Sequence, residues 1–288
     1  MDFFKLNNDL QVPMVGLGTH KIPNDQMKNV IAVAFELGYR KFDTAWLYQN
    51  EEAIGEALKN NSIPREHVFI TSKLHINNLY FPRYHRRMPN LRIRSVRKAF
   101  EASCRRLRTD YLDLYLVHWP WPGFEWMYED ALKLKELGRI KAVGVSSFLP
   151  KHLDKLAEKS LPMPDVNQYE VNPLNSQEEE TEYNQSKGVH VEAYASFGTT
   201  RATETASNEI LENKDIVSIA ETHKKTPSQV VLRWTVQRGI SVIPRSKSRE
   251  HLEENLNIFD FSLSEDEMKR IGALNQNRYS RGNPHKEQ

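Results

Sequence analysis

The amino-acid sequence predicts an α/β protein, a (β/α)8 TIM barrel with an N-terminal β-hairpin. Eight short runs rich in Val, Ile, Tyr and Phe alternate with helical patterns along the chain. Eight such units fit into 288 residues, which is within the range of one barrel domain. No linker or low-complexity segment divides the chain, so we expect a single domain over residues 1–288. An open, doubly wound sheet is the alternative architecture.

The predicted strands are the apolar runs that lie between turn residues. They span residues 14–20, 40–45, 67–73, 112–119, 141–148, 165–171, 189–196 and 241–246. Ahead of the first strand, FFKLNNDLQVP predicts a hairpin with its turn at Asn7, Asn8 and Asp9. We expect this hairpin to close the bottom of the barrel.

The predicted helices are segments in which apolar residues recur every three or four positions. Residues 25–38 and 94–107 show this recurrence clearly. The segment 226–239 begins with Thr226, a suitable N-cap that is followed by proline, and it ends at Gly239. These signals place helices between the strands, as a barrel requires.

Composition and charge narrow the classes of function. The chain has 40 basic and 38 acidic residues and a net charge of +2, which does not favour binding to nucleic acid or membranes. Its single cysteine, Cys104, cannot form an intrachain disulfide, which fits a reducing compartment. No signal peptide or membrane-spanning run is evident. We therefore expect a cytoplasmic protein, and the oligomeric state stays open.

Several other chemistries lack their sequence signatures. Spacings typical of metal ligands are missing, and so is the Gly-x-Ser-x-Gly turn of hydrolases. The segment VGLGTHK contains Gly-x-Gly after a strand, but the third glycine of a dinucleotide fingerprint would fall at Lys21. Tight packing at a strand end is the alternative explanation for Gly16 and Gly18.

Polar side chains stand at the ends of three successive predicted strands. Asp43, Lys73 and His118 occupy these ends, and Tyr48 follows Asp43 by five residues. For any one of these residues, exposure of the strand end to solvent would explain why a polar side chain stands there. Barrel enzymes, however, place their chemistry where the C-terminal strand ends meet. The four residues together therefore favour a shared site.

This set of side chains suits the protonation of a developing alkoxide. A phenol is a poor acid at neutral pH, but a nearby ammonium stabilises tyrosinate and lowers the pKa of the phenol. A carboxylate beside the lysine would keep it charged and in place. A histidine beside the phenol can donate a hydrogen bond that orients a substrate oxygen. Such chemistry is half of a carbonyl reduction, and the other half is a hydride transfer.

Motifs along nearly the whole chain resemble the aldo-keto reductase superfamily. They are GLGT (16–19), FDTAWLYQNEEAIGEAL (42–58), TSKL (71–74), RTDYLDLYLVHWP (108–120), GRIKAVGVSSF (138–148), VNQYEVNP (166–173), AYASFG (193–198) and IPRS with EEN (243–255). The resemblance implies a barrel that reduces aldehydes and ketones with NADPH and without a metal. It also implies a catalytic tetrad of Asp43, Tyr48, Lys73 and His118, with Tyr48 as the proton donor.

The resemblance further implies a nicotinamide site. Thr19 would lie near the nicotinamide ribose, Ser146 and Gln168 would bind the carboxamide, and Tyr194 would stack on the ring. Ser147 stands where the family usually has an asparagine that contributes to this contact.

The segment after the eighth strand would bind the adenosine end of the cofactor. Arg245 stands where the family commonly has lysine, and Ser246 follows it. His251 stands where the family commonly has arginine, and Glu254 and Asn255 match the adenine-contacting pattern. The alternative is a solvated basic loop.

Two residues are candidates for the substrate pocket. His20 stands where many relatives have a tryptophan that walls the pocket. Trp119 would provide an apolar wall, although a role in the core is an equal alternative. The expected partner is a small-molecule carbonyl compound of unknown identity. A barrel kept for an interaction or scaffold role is the rival function.

The segment 74–93 lengthens the connection between the predicted catalytic lysine and histidine beyond the family's usual spacing. Because it follows the third strand, it would form a loop on the catalytic face and shape access to the substrate site. An oligomer contact or a peripheral flap is the alternative.

Overall fold

Eight parallel strands form one sheet in which spatial neighbours follow one another in chain order. The computed structural model describes residues 2–75, 95–198, 208–280 and 282–285. The barrel strands are β3 (Leu17–Gly18), β4 (Lys41–Asp43), β5 (Phe69–Leu74), β6 (Leu112–Val117), β7 (Ile140–Ser146), β8 (Val166–Glu170), β9 (His190–Tyr194) and β10 (Ser241–Val242). An antiparallel hairpin of β1 (Phe3–Lys5) and β2 (Gln11–Pro13) precedes them. All eight predicted strands and the hairpin are confirmed.

The first and last strands meet and close the sheet into a barrel. Val15 forms a parallel bridge with Val242. The Gly16 N–H donates to the Val242 carbonyl at 2.8 Å, and the Val242 N–H donates to the Met14 carbonyl at 2.8 Å. This closure excludes the open sheet. The last strand is shorter than predicted because Pro244 has no N–H with which to extend the ladder.

Helices surround the barrel and connect successive strands. They are α1 (Asn24–Leu37), α2 (Glu51–Asn60), α3 (Val96–Leu107), α4 (Phe124–Glu136), α5 (Pro150–Glu158), α6 (Glu178–Ser186), α7 (Asn208–Leu211), α8 (Lys214–His223), α9 (Pro227–Gln237), α10 (Arg249–Leu256) and α11 (Glu265–Gly272). The cap signals act as predicted: Thr226 accepts a hydrogen bond from the Gln229 N–H at the start of α9. Gly38 ends α1 in the left-handed conformation, with φ of 109°.

The hairpin packs into the N-terminal end of the barrel. Leu6 and Val12 join an apolar cluster with Leu114 and Val166, which lie on barrel strands. Phe4 stacks on His190 with ring centroids 4.0 Å apart. The hairpin therefore closes the end opposite the predicted site, as expected.

Gly16 and Gly18 are required by packing. A Cβ at Gly18 would lie 2.6 Å from the Ile243 carbonyl oxygen, and one at Gly16 would lie 2.9 Å from side-chain carbons of Lys41. The glycines thus allow β3 to approach β10 and the barrel interior closely, which supports the packing explanation over a dinucleotide fingerprint.

Most of the segment 74–93 lies outside the described residues, so its role in substrate access stays a prediction. Only Leu74, which ends β5, and His75 belong to the described part of the segment. Within the described chain, no helix is long and apolar enough to cross a membrane.

Candidate active site

The four predicted catalytic residues meet at the C-terminal end of the barrel. Lys73 is fully buried, and its ammonium lies 2.6 Å from Asp43 Oδ1. It also donates to the Thr44 carbonyl at 2.8 Å and lies 3.4 Å from the Tyr48 hydroxyl. Burial lowers the pKa of Lys73, and the adjacent Asp43 carboxylate opposes this shift.

A short 3-10 turn brings Tyr48 over the barrel. The turn spans Trp46–Tyr48, and Gln49 leaves it in the left-handed conformation, with φ of 55°. The buried Asn50 side chain then fixes the loop, since it accepts from the Thr44 hydroxyl at 2.6 Å and donates to the Thr19 carbonyl at 2.9 Å. Hydrogen bonds to strand ends on both sides therefore set the position of Tyr48.

His118 follows β6 directly, and its ring and that of Tyr48 make a T-shaped contact with centroids 5.9 Å apart. Burial lowers the pKa of His118 well below its usual value, and the positive charge of Lys73 adds to the effect. Among the described residues, its buried Nδ1 has no hydrogen-bond partner. A neutral imidazole here is suited to donate a hydrogen bond rather than to release a proton.

Asp43, Tyr48 and His118 form part of the wall of a cavity of about 690 Å³. That volume is in the range of small-molecule sites. Of the residues predicted from the sequence, the cavity wall includes Asp43, Tyr48, His118, Ser146, Ser147, Gln168, Tyr194, Arg245, His20 and Trp119. The Tyr194 hydroxyl lies 3.2 Å from Ser147 Oγ, so this serine contacts the aromatic side chain that was predicted to stack on the cofactor.

Six predicted residues lie outside the cavity wall: Lys73, Thr19, Ser246, His251, Glu254 and Asn255. Lys73 is fully buried and contacts Asp43, which lines the cavity. Thr19 is fully buried, and its hydroxyl donates to the Asp43 carbonyl at 2.8 Å. Its observed contact is therefore with the backbone of a predicted catalytic residue. The remaining four belong to α10 or to the turn before it, where the His251 N–H donates to the Ser248 hydroxyl.

Two aromatic residues that were not predicted from the sequence, His75 and Trp121, also line the cavity. Their ring centroids are 4.5 Å apart, and His75 lies 5.9 Å from the His118 ring. Burial lowers the pKa of His75. The available signal for His75 was its position two residues after Lys73 and directly after β5, because residues two apart in an extended chain share a face.

Two further charged residues of the barrel interior were also missed. Lys41 and Glu192 form an ion pair with both side chains fully buried. Lys41 precedes Asp43 by two residues on β4, which was the available signal. Among the described residues, no group of acidic, histidine or cysteine side chains is arranged to hold a metal ion.

The chain matches the family model described as "Aldo/keto reductase family" over residues 14–276. It is 37% identical over 283 residues to an aldo-keto reductase of Mycolicibacterium vanbaalenii, covering 97% of this chain and 94% of the relative. It is 36% identical over 292 residues to the glyoxal reductase of Bacillus subtilis, covering 98% and 96%.

A solved structure, that of a Bombyx mori aldo-keto reductase in complex with NADP, superposes with a TM-score of 0.85 at 30% identity. The superposition covers 97% of this chain and 94% of that one. A match over nearly the full length, in sequence and in structure, fits the barrel and the cavity described above. The chain is a member of the aldo/keto reductase family of oxidoreductases.

Proposed function

We propose that this chain reduces aldehydes and ketones to alcohols, with NADPH as the source of hydride and Tyr48 as the proton donor. The observation that carries the proposal is the Tyr48 hydroxyl at the cavity wall, 3.4 Å from the buried Lys73 ammonium. An alkoxide that forms beside Tyr48 needs a proton. The tyrosinate that remains is stabilised by the neighbouring positive charge.

His118 has a different role from Tyr48 in this proposal. Because the pKa of His118 is well below its usual value, the ring is neutral at neutral pH. A neutral ring donates a hydrogen bond to the substrate oxygen and orients it, while the proton comes from Tyr48. Asp43 holds the Lys73 ammonium at 2.6 Å and so keeps the charge beside the phenol.

The cavity wall has the groups that a nicotinamide cofactor requires. Ser146 and Gln168 provide neutral hydrogen-bonding groups for a carboxamide, and Tyr194 provides an aromatic side chain. Arg245 is exposed and also lines the cavity, and its guanidinium has the geometry that suits a phosphate group. When bound, NADPH supplies the hydride. The Bombyx mori relative, solved with NADP, supports this choice of cofactor.

The proposal is tested by following NADPH oxidation with a panel of carbonyl compounds. The panel includes a generic aromatic aldehyde, a ketone and glyoxal, which the name of the Bacillus relative suggests. We expect turnover of at least one aldehyde. Binding of NADPH without turnover of any compound, in a protein that is folded, would favour the interaction or scaffold role instead.

A further inference from the structure

The buried ion pair between Lys41 and Glu192 lies inside the barrel, next to the proposed site. Lys41 is on β4, two residues before Asp43, and Glu192 is on β9, two residues before Tyr194. Residues two apart on a strand share a face, so both side chains lie on the same strand faces as site residues. A buried ion pair is often no more stabilising than apolar residues of the same volume. Stability alone therefore does not explain the pair.

Gln168 connects this ion pair to the tetrad. Its Nε2 donates to Asp43 Oδ2 at 2.8 Å and to Glu192 Oε1 at 2.8 Å. A glutamine amide nitrogen has two hydrogens, so both are used by these carboxylates. The reverse orientation would place the amide oxygen against two carboxylate oxygens. The carbonyl oxygen of Gln168 is therefore the side-chain atom left for a ligand in the cavity that Gln168 lines.

Glu192 is itself held by several partners. The Lys41 ammonium forms its ion pair, and the Ser241 hydroxyl donates to Oε2 at 3.1 Å. Because that hydroxyl hydrogen is used, Ser241 Oγ accepts from His190 Nε2, which lies 2.9 Å away. These contacts fix the carboxylate, and a fixed carboxylate fixes the amide that donates to it.

We propose that Glu192 is a positioning residue of the cofactor site, which locks the Gln168 amide so that only its carbonyl oxygen meets the nicotinamide carboxamide. This inference rests on the proposed function. Without Glu192, Asp43 alone would hold one hydrogen of the Gln168 amide, and the group would be able to rotate. The nicotinamide carboxamide could then bind to either the oxygen or the nitrogen of the Gln168 side chain. The nicotinamide ring would no longer be held in one orientation, and either of its faces could meet the substrate.

Two double variants separate this role from the loss of charge. Lys41→Met/Glu192→Gln and Lys41→Met/Glu192→Leu both remove the ion pair. Only the first keeps an oxygen that accepts from Gln168. We would measure the Kd for NADP+ by fluorescence titration, the thermal midpoint, and deuterium transfer from NADPH labelled on one face of the ring.

We expect the Glu192→Leu double variant to bind NADP+ about three- to tenfold more weakly, the effect of one lost hydrogen bond. It should also give a product of which only part carries the deuterium, whereas the Glu192→Gln double variant should keep a Kd and a degree of labelling close to those of the wild type. Adding Glu192→Leu and Lys41→Met to a Gln168→Leu variant should raise the Kd no further. If the leucine variant does not fold, Lys41→Met/Glu192→Met makes the same comparison.

Equal Kd values and equal face selectivity in the two double variants would overturn the positioning role while leaving the proposed function intact. A wild-type protein that does not bind NADP+ would overturn both.

Discussion

The Tyr48 hydroxyl lies 3.4 Å from the Lys73 ammonium, at the long end of hydrogen-bond range. The same ammonium makes shorter contacts with Asp43 Oδ1, at 2.6 Å, and with the Thr44 carbonyl, at 2.8 Å. An ammonium has three hydrogens, and these three partners account for all of them. Asp43 and Thr44 therefore anchor the lysine and leave its third N–H directed at the phenol. Replacing Tyr48 and replacing Lys73 should therefore affect different measured quantities.

Replacing Tyr48 with phenylalanine should affect the chemical step alone. We expect Tyr48→Phe to lower kcat by about 10²- to 10⁴-fold, the contribution of a positioned general acid. The Kd for NADPH should change little, because the proton is needed only in the transition state. Steady-state kinetics and a binding titration measure the two effects. A variant that kept most of the wild-type kcat would show that another group donates the proton.

Replacing Lys73 with methionine should reduce stability as well as activity. Asp43 would then be a buried carboxylate without its ion-pair partner, which costs about 3–5 kcal/mol of the free energy of unfolding. The matched control is Lys73→Met/Asp43→Asn, which removes both charges. We expect urea unfolding to show that the double variant recovers most of the stability, while both variants stay inactive. Equal instability of the two would point to lost packing instead of an unpaired charge.

Arg245 should favour NADPH over NADH. Its exposed guanidinium lines the cavity and suits the additional phosphate of NADPH. We expect Arg245→Ala to raise the KM for NADPH about tenfold and to leave the KM for NADH nearly unchanged. Arg249 is a suitable control, because its guanidinium makes two contacts with the Glu36 carboxylate, at 3.1 and 2.6 Å. If Arg249→Ala changed the cofactor preference and Arg245→Ala did not, the assignment of Arg245 would be wrong.

His190 should make the folded protein less stable at acidic pH. Burial, with the charge of Lys41 as a second cause, lowers the pKa of His190 to about 3. In the unfolded chain the ring titrates near pH 6.5, as an ordinary histidine does. Between these values only the unfolded chain binds the extra proton, so the free energy of unfolding falls as pH falls. The contribution of this one group is at most about 1.4 kcal/mol per pH unit.

The variant His190→Gln keeps a hydrogen-bonding side chain next to Ser241 and removes the titration. We expect the urea midpoint of this variant to fall less steeply than that of the wild type between about pH 6.5 and pH 4. The comparison should be made relative to the midpoint of each protein at neutral pH. Parallel profiles would assign the acid sensitivity to other buried groups, such as His118.

Local sequence patterns determined the eight strands, the helix caps and the strand-end positions of Asp43, Lys73 and His118. Each of these features depends on residues that are close along the chain: alternation in a strand, recurrence in a helix, or a cap and its N–H three residues later. Because all parallel strands of a barrel end on one face, these local patterns also predicted which side chains would meet. The grouping of Tyr48 with the other three followed from the same reasoning.

The tertiary structure decided how the buried charges are paired. Lys41 and Glu192 lie on β4 and β9, and they meet only because the barrel brings those strands to a common interior. The orientation of the Gln168 amide likewise depends on two carboxylates from other strands. Burial makes these pairings necessary, because a charge that is removed from water is costly unless it has a partner in contact. Periodicity along one strand has no information about that partner, which comes from a distant part of the chain.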